Sequence, residues 1–242
     1  MTQSELVHSL IQLEVIQRLH KLGSKALTVQ LAELHASMDS DLEQLHKHCP
    51  RSDSLMRGNL EGDYLAHVND EYIEISETLP NLHAYSVFLI AYSYFERTLN
   101  GVCASLRRNS QLPLAVDDLA GRGIIRAESY LRKVAGITSP FELQEWRSAK
   151  LFGEIRNNIA HRNGFVDYKP QDTASLWVRL TRAGFELRQE TLNQPDGQII
   201  LTGDSVLTAI SAYKMVLQEV GGFGRSYETP KHGLPAHPSY GA

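Results

Sequence analysis

The chain has 242 residues, of which 42% are apolar and 21% charged, with a formal net charge of −4. These values are typical of a globular protein with one sizeable core or two small ones, and they exclude a fibrous protein. The longest apolar run, Val87 to Tyr92, is far shorter than the roughly 20 residues of a membrane span. Because the polar start is also unlike a signal peptide, we expect a cytoplasmic protein without a membrane partner.

Charge is distributed unevenly along the chain. Residues 1–80 carry a net charge of −7, whereas residues 81–162 carry +4. Contacts with phosphate groups are therefore expected in the second segment.

The first 48 residues have two leucine-rich stripes at helical spacing, which predicts helix with a break at Gly23-Ser24. The predicted stripes are Leu6, Leu10, Leu13, Ile16 and Leu22, followed by Leu27, Leu31, Leu34, Met38, Leu42 and Leu45. Residues Pro50 to Asp63 lack periodicity and are rich in turn-forming residues, so we expect a loop there.

The longest helix is predicted from Pro80 to Arg108, because apolar residues alternate spacings of three and four throughout it. These residues are Tyr85, Phe88, Tyr92, Phe95, Leu99, Val102 and Leu106. A second helix is expected from Asp118 to Ala135, and the residues available for burial in it are Leu119, Ile125, Tyr130, Leu131 and Val134.

A further helix is predicted from Pro140 to Asn163, with Ser139 and Glu142 as a capping box and Gly164 as its left-handed cap. A short β-hairpin is expected from segments 184–190 and 198–202, before a last helix from Asp204 to Val220. The predicted fold class is therefore an all-α helical bundle with one hairpin. The expected domains are an acidic helical arm (1–50), a helical domain (64–222) and a disordered tail (223–242).

The candidate catalytic side chains lie at the end of the predicted Pro140–Asn163 helix, in the run Arg156-Asn157-Asn158-Ile159-Ala160-His161. It combines a permanent guanidinium charge with an imidazole that exchanges protons near neutral pH. Metal-free RNA cleavage needs such groups, because protons must leave a 2′-hydroxyl and reach a 5′-oxygen while charge grows on the phosphate. No metal or cofactor is required.

Helical geometry separates Arg156 and His161 by about 140° around the axis, whereas Asn157 and His161 share a face. A single copy therefore presents Arg156 and His161 poorly to one phosphate. A twofold axis beside this helix would bring the Arg of one subunit near the His of the other, so we expect a homodimer.

The run Ile155 to Gly164 resembles the HEPN superfamily, whose signature is an Arg, four to six residues, and a His. The preceding long helix, with Glu96 in Tyr94-Phe95-Glu96-Arg97-Thr98-Leu99-Asn100, is similar to the acidic helix of its members. The resemblance covers about residues 81–164. It implies an all-α bundle, a dimer and, in many members, a metal-independent endoribonuclease of a toxin or antiphage system.

Carried over to this chain, the resemblance implies proton transfer by His161, charge stabilisation by Arg156 and positioning roles for Asn157 and Glu96. The products would be a 2′,3′-cyclic phosphate and a 5′-hydroxyl. A defence-system partner or an antitoxin is also implied. Toxins paired with nucleotidyltransferase antitoxins carry a Tyr two residues after the His, and Asn163 stands there instead, which argues against that pairing.

Structural roles remain open for the same residues. His161 has the alternative of interacting with the last helix carbonyls, and Asn157 of capping one of them. Arg156 has the alternative of pairing with a buried acid, most simply Glu96. Basic residues that could guide RNA, or merely be solvated, are Arg162, Arg107, Arg108, Arg132 and Lys133.

Two further functions remain as alternatives to the nuclease. One is a non-catalytic HEPN module that binds a protein or a nucleotide, and the other is an unrelated helical adaptor. Cys49 and Cys103 are expected to stay reduced. The segment His46-Lys47-His48-Cys49 lacks a convincing further ligand, so no metal site is expected.

Overall fold

The computed structural model describes residues 3–48, 54–189 and 195–227. It is a mainly helical fold with a small three-stranded sheet, which confirms the predicted fold class. The helices are α1 (Gln3–His48), α2 (Ser54–Ile73), α3 (Leu79–Ser110), α4 (Gly123–Lys133), α5 (Gln144–Arg162), α6 (Leu176–Arg182) and α7 (Gly203–Tyr227). The strands are β1 (Phe165–Asp167), β2 (Glu186–Arg188) and β3 (Asp196–Ile200), and β3 pairs antiparallel with both others. Within these described ranges, no helix is long and apolar enough to cross a membrane.

Helix α3 forms the centre of the core, as predicted, and its bounds lie within two residues of the expected ones. All seven residues of its predicted apolar seam are buried. The aromatic ring of Phe95 stacks on Tyr213 of α7, with 4.5 Å between ring centroids, and Trp146 and Phe152 of α5 pack around this pair. Helices α3, α5 and α7 thus share one aromatic core.

Helix α1 is continuous, so the predicted break at Gly23-Ser24 is wrong. A Cβ atom at Gly23 would lie 2.3 Å from Cε1 of His83, which means that the imidazole packs directly on the α1 backbone. Gly23 therefore allows His83 of α3 to approach the backbone of α1 closely, and it does not form a turn.

The two faces of α1 are both apolar over its first half. Leu13 and Ile16 are buried in the core, and the stripe continues inward through His20 instead of the predicted Leu22, which is 68% exposed. The outward face carries half-exposed apolar side chains: Val7, Ile11, Val15, Leu19, Leu22 and Val29. The first half of α1 therefore contributes to the core. The division of the chain into an arm (1–50) and a helical domain stays a prediction.

Helix α2 replaces most of the predicted loop at 50–63, since helix begins at Ser54; residues 50–53 lie outside the described ranges. The hydroxyl of Tyr64 donates a hydrogen bond to Asp41 Oδ2 (2.9 Å), and His46 pairs with Glu61, so α2 packs back along α1. The turn-forming residues that suggested a loop include Gly58 and Gly62, which occupy open positions in the helix.

A π-helical turn at Glu74–Thr78 joins α2 to α3 without a loop. The backbone N–H of Leu79 donates to the carbonyl of Glu74, five residues earlier. The next residue, Pro80, has no N–H and its ring would clash with a carbonyl four residues earlier in an α-helix. The wider turn accommodates this proline.

Helix α4 begins at Gly123, five residues later than predicted, after a short 3₁₀ turn at Val116–Asp118. Tyr130 and Leu131 are buried as expected, but the inward isoleucine is Ile124, and Ile125 is 45% exposed.

The start of α5 differs from the predicted capping box. Ser139–Phe141 forms a separate 3₁₀ turn, and α5 begins at Gln144 after Leu143. The hydroxyl of Ser139 donates to Glu219 of α7, while Glu142 accepts a hydrogen bond from Arg132, so both side chains bind other elements instead of capping each other. The predicted left-handed end is confirmed, with Asn163 at φ 51° and Gly164 at φ 86°.

The predicted hairpin is confirmed by the pairing of β2 with β3, in which Leu187 lies opposite Ile199. Strand β1 and helix α6 were not predicted from the sequence. Helix α7 begins at Gly203 and extends to Tyr227, beyond the predicted Val220 and into the segment expected to be a tail. Residues 228–242 lie outside the described ranges, so the tail there stays a prediction.

Replacing Gly23 by Ala is expected to lower the free energy of unfolding by about 1–3 kcal/mol, because the added methyl displaces His83. The matched change Gly62→Ala should raise it by about 0.5–1 kcal/mol, since nothing in the described structure lies within 4 Å of the new Cβ. Urea unfolding of both variants measures the difference, and equal effects would contradict the His83 contact.

Burial, and secondarily the neighbouring His83, hold the pKa of His20 below its ordinary value of 6.5. The unfolded chain therefore binds a proton at this position more readily than the folded chain. The stabilising effect of a neutral His20 should be complete above pH 6.5 and decline as the pH falls through 6.5 and below. Unfolding of His20→Gln between pH 8 and 5 should show a weaker pH dependence than wild type, whereas the exposed His67→Gln should not.

Candidate functional site

Helices α5 and α3 run antiparallel, which fixes where the Arg-x4-His segment lies. Early in α5, Trp146 contacts Phe95, and further along Phe152 contacts Phe88. Past the end of α5, a Cβ at Gly164 would lie 2.0 Å from the Tyr85 hydroxyl. The segment therefore ends beside the N-terminal half of α3.

Buried side chains alternate with exposed ones in the segment. Ile155, Asn158 and Ile159 face the core, and Asn157 and His161 are exposed. The amide of Asn158 donates a hydrogen bond from Nδ2 to the carbonyl of Phe165 (3.0 Å). Helix α5 is thereby joined to strand β1 by a residue inside the motif.

Arg156 is half-buried and makes a local contact. Its Nη1 donates to Oδ1 of Asn157 (3.0 Å), and its Cζ lies 6.0 Å from the centroid of the Tyr92 ring. A guanidinium over an aromatic face is attracted by the ring quadrupole. The contacts hold the cation at one place on the helix surface and leave other N–H groups to bind a ligand.

Glu96 and Arg156 form no ion pair within the described part of the chain, so the structure does not support the alternative in which Arg156 pairs with Glu96. A Cβ at Gly123 would lie 3.1 Å from Oε1 of Glu96, which places the carboxylate at the first residue of α4. Negative charge is favourable at a helix N-terminus. Burial, and then the charge of Glu96, raise the pKa of Tyr92 to about 12, and Arg156 opposes this rise.

The imidazole of His161 is exposed and makes no hydrogen bond within the described residues. Asn157 lies one turn earlier, but its Oδ1 accepts from Arg156 rather than from the ring. The structure thus links Asn157 to Arg156 and leaves the His161 imidazole accessible to a ligand.

The basic residues predicted to guide RNA do not form one cluster. Arg162 Nη2 lies 2.6 Å from Oδ1 of Asp167, and this hydrogen bond, with help from Lys169, lowers the pKa of Asp167. Arg107 and Arg108 lie at the other end of α3, about 22 Å along the axis from Tyr92. Arg132 is bonded to Glu128 and Glu142.

Helix α5, along which a twofold interface is expected, offers no apolar surface in the described structure. Over Gln144–Arg162, all of which the structure describes, no large hydrophobic side chain is exposed, whereas six are exposed on the outer face of α1. Dimerisation through α5 would have to depend on polar contacts and stays a prediction.

Three residues that hold the motif in place were not predicted from the sequence as site residues. Tyr85 Oη donates to the carbonyl of Ile199, the Ile199 N–H donates to the carbonyl of Gly164 (2.9 Å), and Asn158 binds β1. The alternation of inward and outward positions along α5 could have identified Asn158, because it falls on the apolar face. The other two contacts are made by Ile199 of β3, a strand of the predicted hairpin, but no pattern in the sequence indicated that it would contact Tyr85 and Gly164.

Within the described ranges, no group of His, Cys, Asp and Glu residues could hold a metal ion. His46 pairs with Glu61, and His48 bonds the carbonyl of Gln44; Cys49 lies outside the described residues. Cys103 is a buried free thiol whose pKa is raised to about 12 by that burial.

Comparison with protein-family models, curated proteins and solved structures finds no match for this chain.

Gly164→Ala is expected to destabilise the end of α5 for two reasons. Its φ of +86° strains any residue with a Cβ by about 1–2 kcal/mol, and the methyl would overlap the Tyr85 hydroxyl. Gly184 has a similar φ of +83°, but nothing described lies within 4 Å of its Cβ position, so Gly184→Ala should show the strain alone. Chemical denaturation should therefore show the larger loss for Gly164→Ala; equal losses would contradict the Tyr85 contact.

Proposed function

We propose that this chain is a metal-independent endoribonuclease of the HEPN type, acting in the cytoplasm as part of a bacterial defence or toxin system. The observation that carries the proposal is the exposed imidazole of His161, which has no hydrogen-bond partner among the described residues and lies on the same helix end as a positioned Arg156. A proton-transfer group and a fixed cation are what ribose-assisted RNA cleavage requires.

In the proposed reaction a 2′-hydroxyl oxygen attacks the adjacent phosphorus and loses its proton to one His161. The bond from phosphorus to the 5′-oxygen breaks, and that oxygen gains a proton from the second His161 of a homodimer. Arg156 stabilises the added negative charge on the phosphate. The products are a 2′,3′-cyclic phosphate and a 5′-hydroxyl, with no net gain or loss of protons.

Asn157 supports Arg156 through its hydrogen bond, and this is the positioning role that the geometry favours for it. Arg162, Arg107 and Arg108 are less suited to act together on one RNA, because the first is paired with Asp167 and the others lie at the far end of α3.

A non-catalytic HEPN module remains the second candidate. The observation that favours it is the half-buried position of Arg156 against Tyr92, where the cation also has a structural function. In that case the same surface binds a protein or nucleotide without cleaving RNA.

Purified protein incubated with total RNA in EDTA should produce fragments with 2′,3′-cyclic phosphate ends. His161→Ala and Arg156→Ala should each reduce the rate by about 100-fold or more, as is usual for loss of a proton-transfer or charge-stabilising group. The matched controls His67→Ala and Arg147→Ala remove an exposed His of α2 and an exposed Arg of α5, and should keep wild-type rates.

Circular dichroism of each variant shows whether the fold is retained. Equal cleavage by wild type and His161→Ala would contradict the catalytic role. A folded wild type that never cleaves RNA would favour the non-catalytic module.

A further inference from the structure

The outer face of α1 carries a row of large apolar side chains that the described structure leaves about half-exposed. This row, the outer stripe, consists of Val7, Ile11, Val15, Leu19, Leu22 and Val29, whose exposed fractions are 46–68%. It extends over about 33 Å of helix at 1.5 Å per residue. Single exposed apolar residues are ordinary, but a contiguous row of this length is typical of an interaction surface.

The central part of the outer stripe has the spacing of a helix–helix seam. Exposed apolar residues follow one another there at intervals of four, three, four and three: Val15, Leu19, Leu22, Ala26 and Val29. Residues in this alternation occupy the a and d positions of a heptad, along which a second helix packs. The spacing therefore favours a helix as the partner.

One edge of the outer stripe is basic. Arg18 and Lys25 each directly precede an a position, so both are g positions beside the seam, and Lys21 lies next to them on the same side of the helix. All three are exposed and form no ion pair with any described residue. Glu14 lies on the same side but pairs with Lys214 of α7 (3.8 Å). This edge therefore presents three cations without a counter-charge in the described structure.

The opposite edge of the seam is uncharged, because its e positions are Ile16, Gly23 and Gln30. A bilayer surface meets both edges of a helix that lies on it, and it attracts basic residues on either side. A partner helix can carry acidic residues on one side only. The restriction of the charge to one edge therefore favours a helical partner over a membrane.

A second copy of this chain is a poorer match than an acidic helix. Pairing two outer stripes would bring together two surfaces that both carry Arg18, Lys21 and Lys25, and no e or g position of the seam is acidic. Like charges across such an interface are unfavourable, whereas opposite charges select the partner.

We propose that the outer stripe of α1 binds an amphipathic helix of another protein, whose apolar seam is edged by Asp or Glu residues. The surface lies on a different helix from Arg156 and His161. Its test therefore does not depend on RNA cleavage.

A fluorescent peptide of about three heptads, with Leu at positions a and d and Glu at e and g, is a suitable probe. In the control peptide every Glu is replaced by Lys. Anisotropy titration with the full chain should show the Glu peptide binding about tenfold more tightly or better, because exposed ion pairs replace like-charge contacts. Raising the salt from about 0.1 M to about 1 M should reduce this difference by screening.

Reversing the charge of the basic edge should reverse the preference. Arg18→Glu combined with Lys25→Glu is expected to bind the Lys peptide more tightly than the Glu peptide. The matched control is Arg147→Glu combined with Lys150→Glu, which reverses two exposed bases of α5 and should leave both affinities unchanged.

Removing apolar surface should weaken both peptides. Leu22 is 68% exposed, so Leu22→Gln should keep the fold while lowering both affinities about fivefold or more. Leu82→Gln is the matched control, because Leu82 is a half-exposed leucine of α3 outside the outer stripe. Circular dichroism checks that each variant is folded.

Equal affinity of wild type for the two peptides, no binding of the Glu peptide, or an unchanged preference after charge reversal would overturn the proposal. A dimer of the chain alone, seen by light scattering and dissociated by Leu22→Gln, would do the same, because a second copy would then cover the stripe. Binding to phosphatidylserine vesicles that Leu22→Gln abolishes, without binding of the Glu peptide, would assign the surface to a membrane instead.

Discussion

The hydroxyl of Tyr85 is the contact on which the arrangement of helix, sheet and motif depends. It donates to the carbonyl of Ile199 in β3 and occupies the space that a side chain at residue 164 would need. Gly164 in turn accepts a hydrogen bond from the Ile199 N–H. One phenol therefore ties the centre of the bundle to the end of α5 and to the middle of the sheet.

That tie explains why a short sheet is present in a mainly helical fold. Strand β3 gives α5 a fixed end, because its neighbour β1 accepts from Asn158 and its own backbone bonds Gly164. The exposed residues of the motif, Arg156 and His161, project from a helix whose opposite face is bonded at several places. A rigid support of this kind is what a site needs if its groups are to be held in a defined geometry.

Helix α3 also connects the motif with a cavity between α1, the π-helical turn and the end of β3. Asn81, one turn before Tyr85, accepts a hydrogen bond from the Leu201 N–H, and both of these residues line the cavity. The two surfaces use consecutive turns of one helix and two nearby residues, Ile199 of β3 and Leu201 just after it.

The sequence predicted those parts of the fold that repeat a regular pattern. The seam of α3, the last helix and the hairpin are of this kind, because apolar periodicity reports burial directly. Helix α2 was not predicted because glycine and serine signal turns only when no neighbouring helix stabilises them; here Tyr64 and Glu61 bind α1. Propensity is a weak prior that tertiary contacts override.

Within the candidate site, the sequence did not indicate what the residues contact. Pairing with Glu96 was one alternative for Arg156, but the Glu96 carboxylate lies beside the first residue of α4, where negative charge is favourable. The cavity was not predicted at all. Its lining comes from segments that are distant in the chain, and nothing in the order of residues brings His20 and Ser76 together.

The π-helical turn also makes the number of residues in this segment structurally significant. Helix continues through this turn from Ser54 to Ser110, but the turn contains one residue more than an α-helical turn would. The extra residue rotates α2 by about 100° around the helix axis relative to an unbroken α-helix. Tyr64 and Glu61 face α1 only with that rotation of α2. A chain one residue shorter between Glu74 and Thr78 would keep its composition and its helical pattern, yet α2 would turn these side chains away from Asp41 and His46. Related sequences that share this packing should therefore conserve the spacing between Tyr64 and Pro80 even where the intervening residues differ.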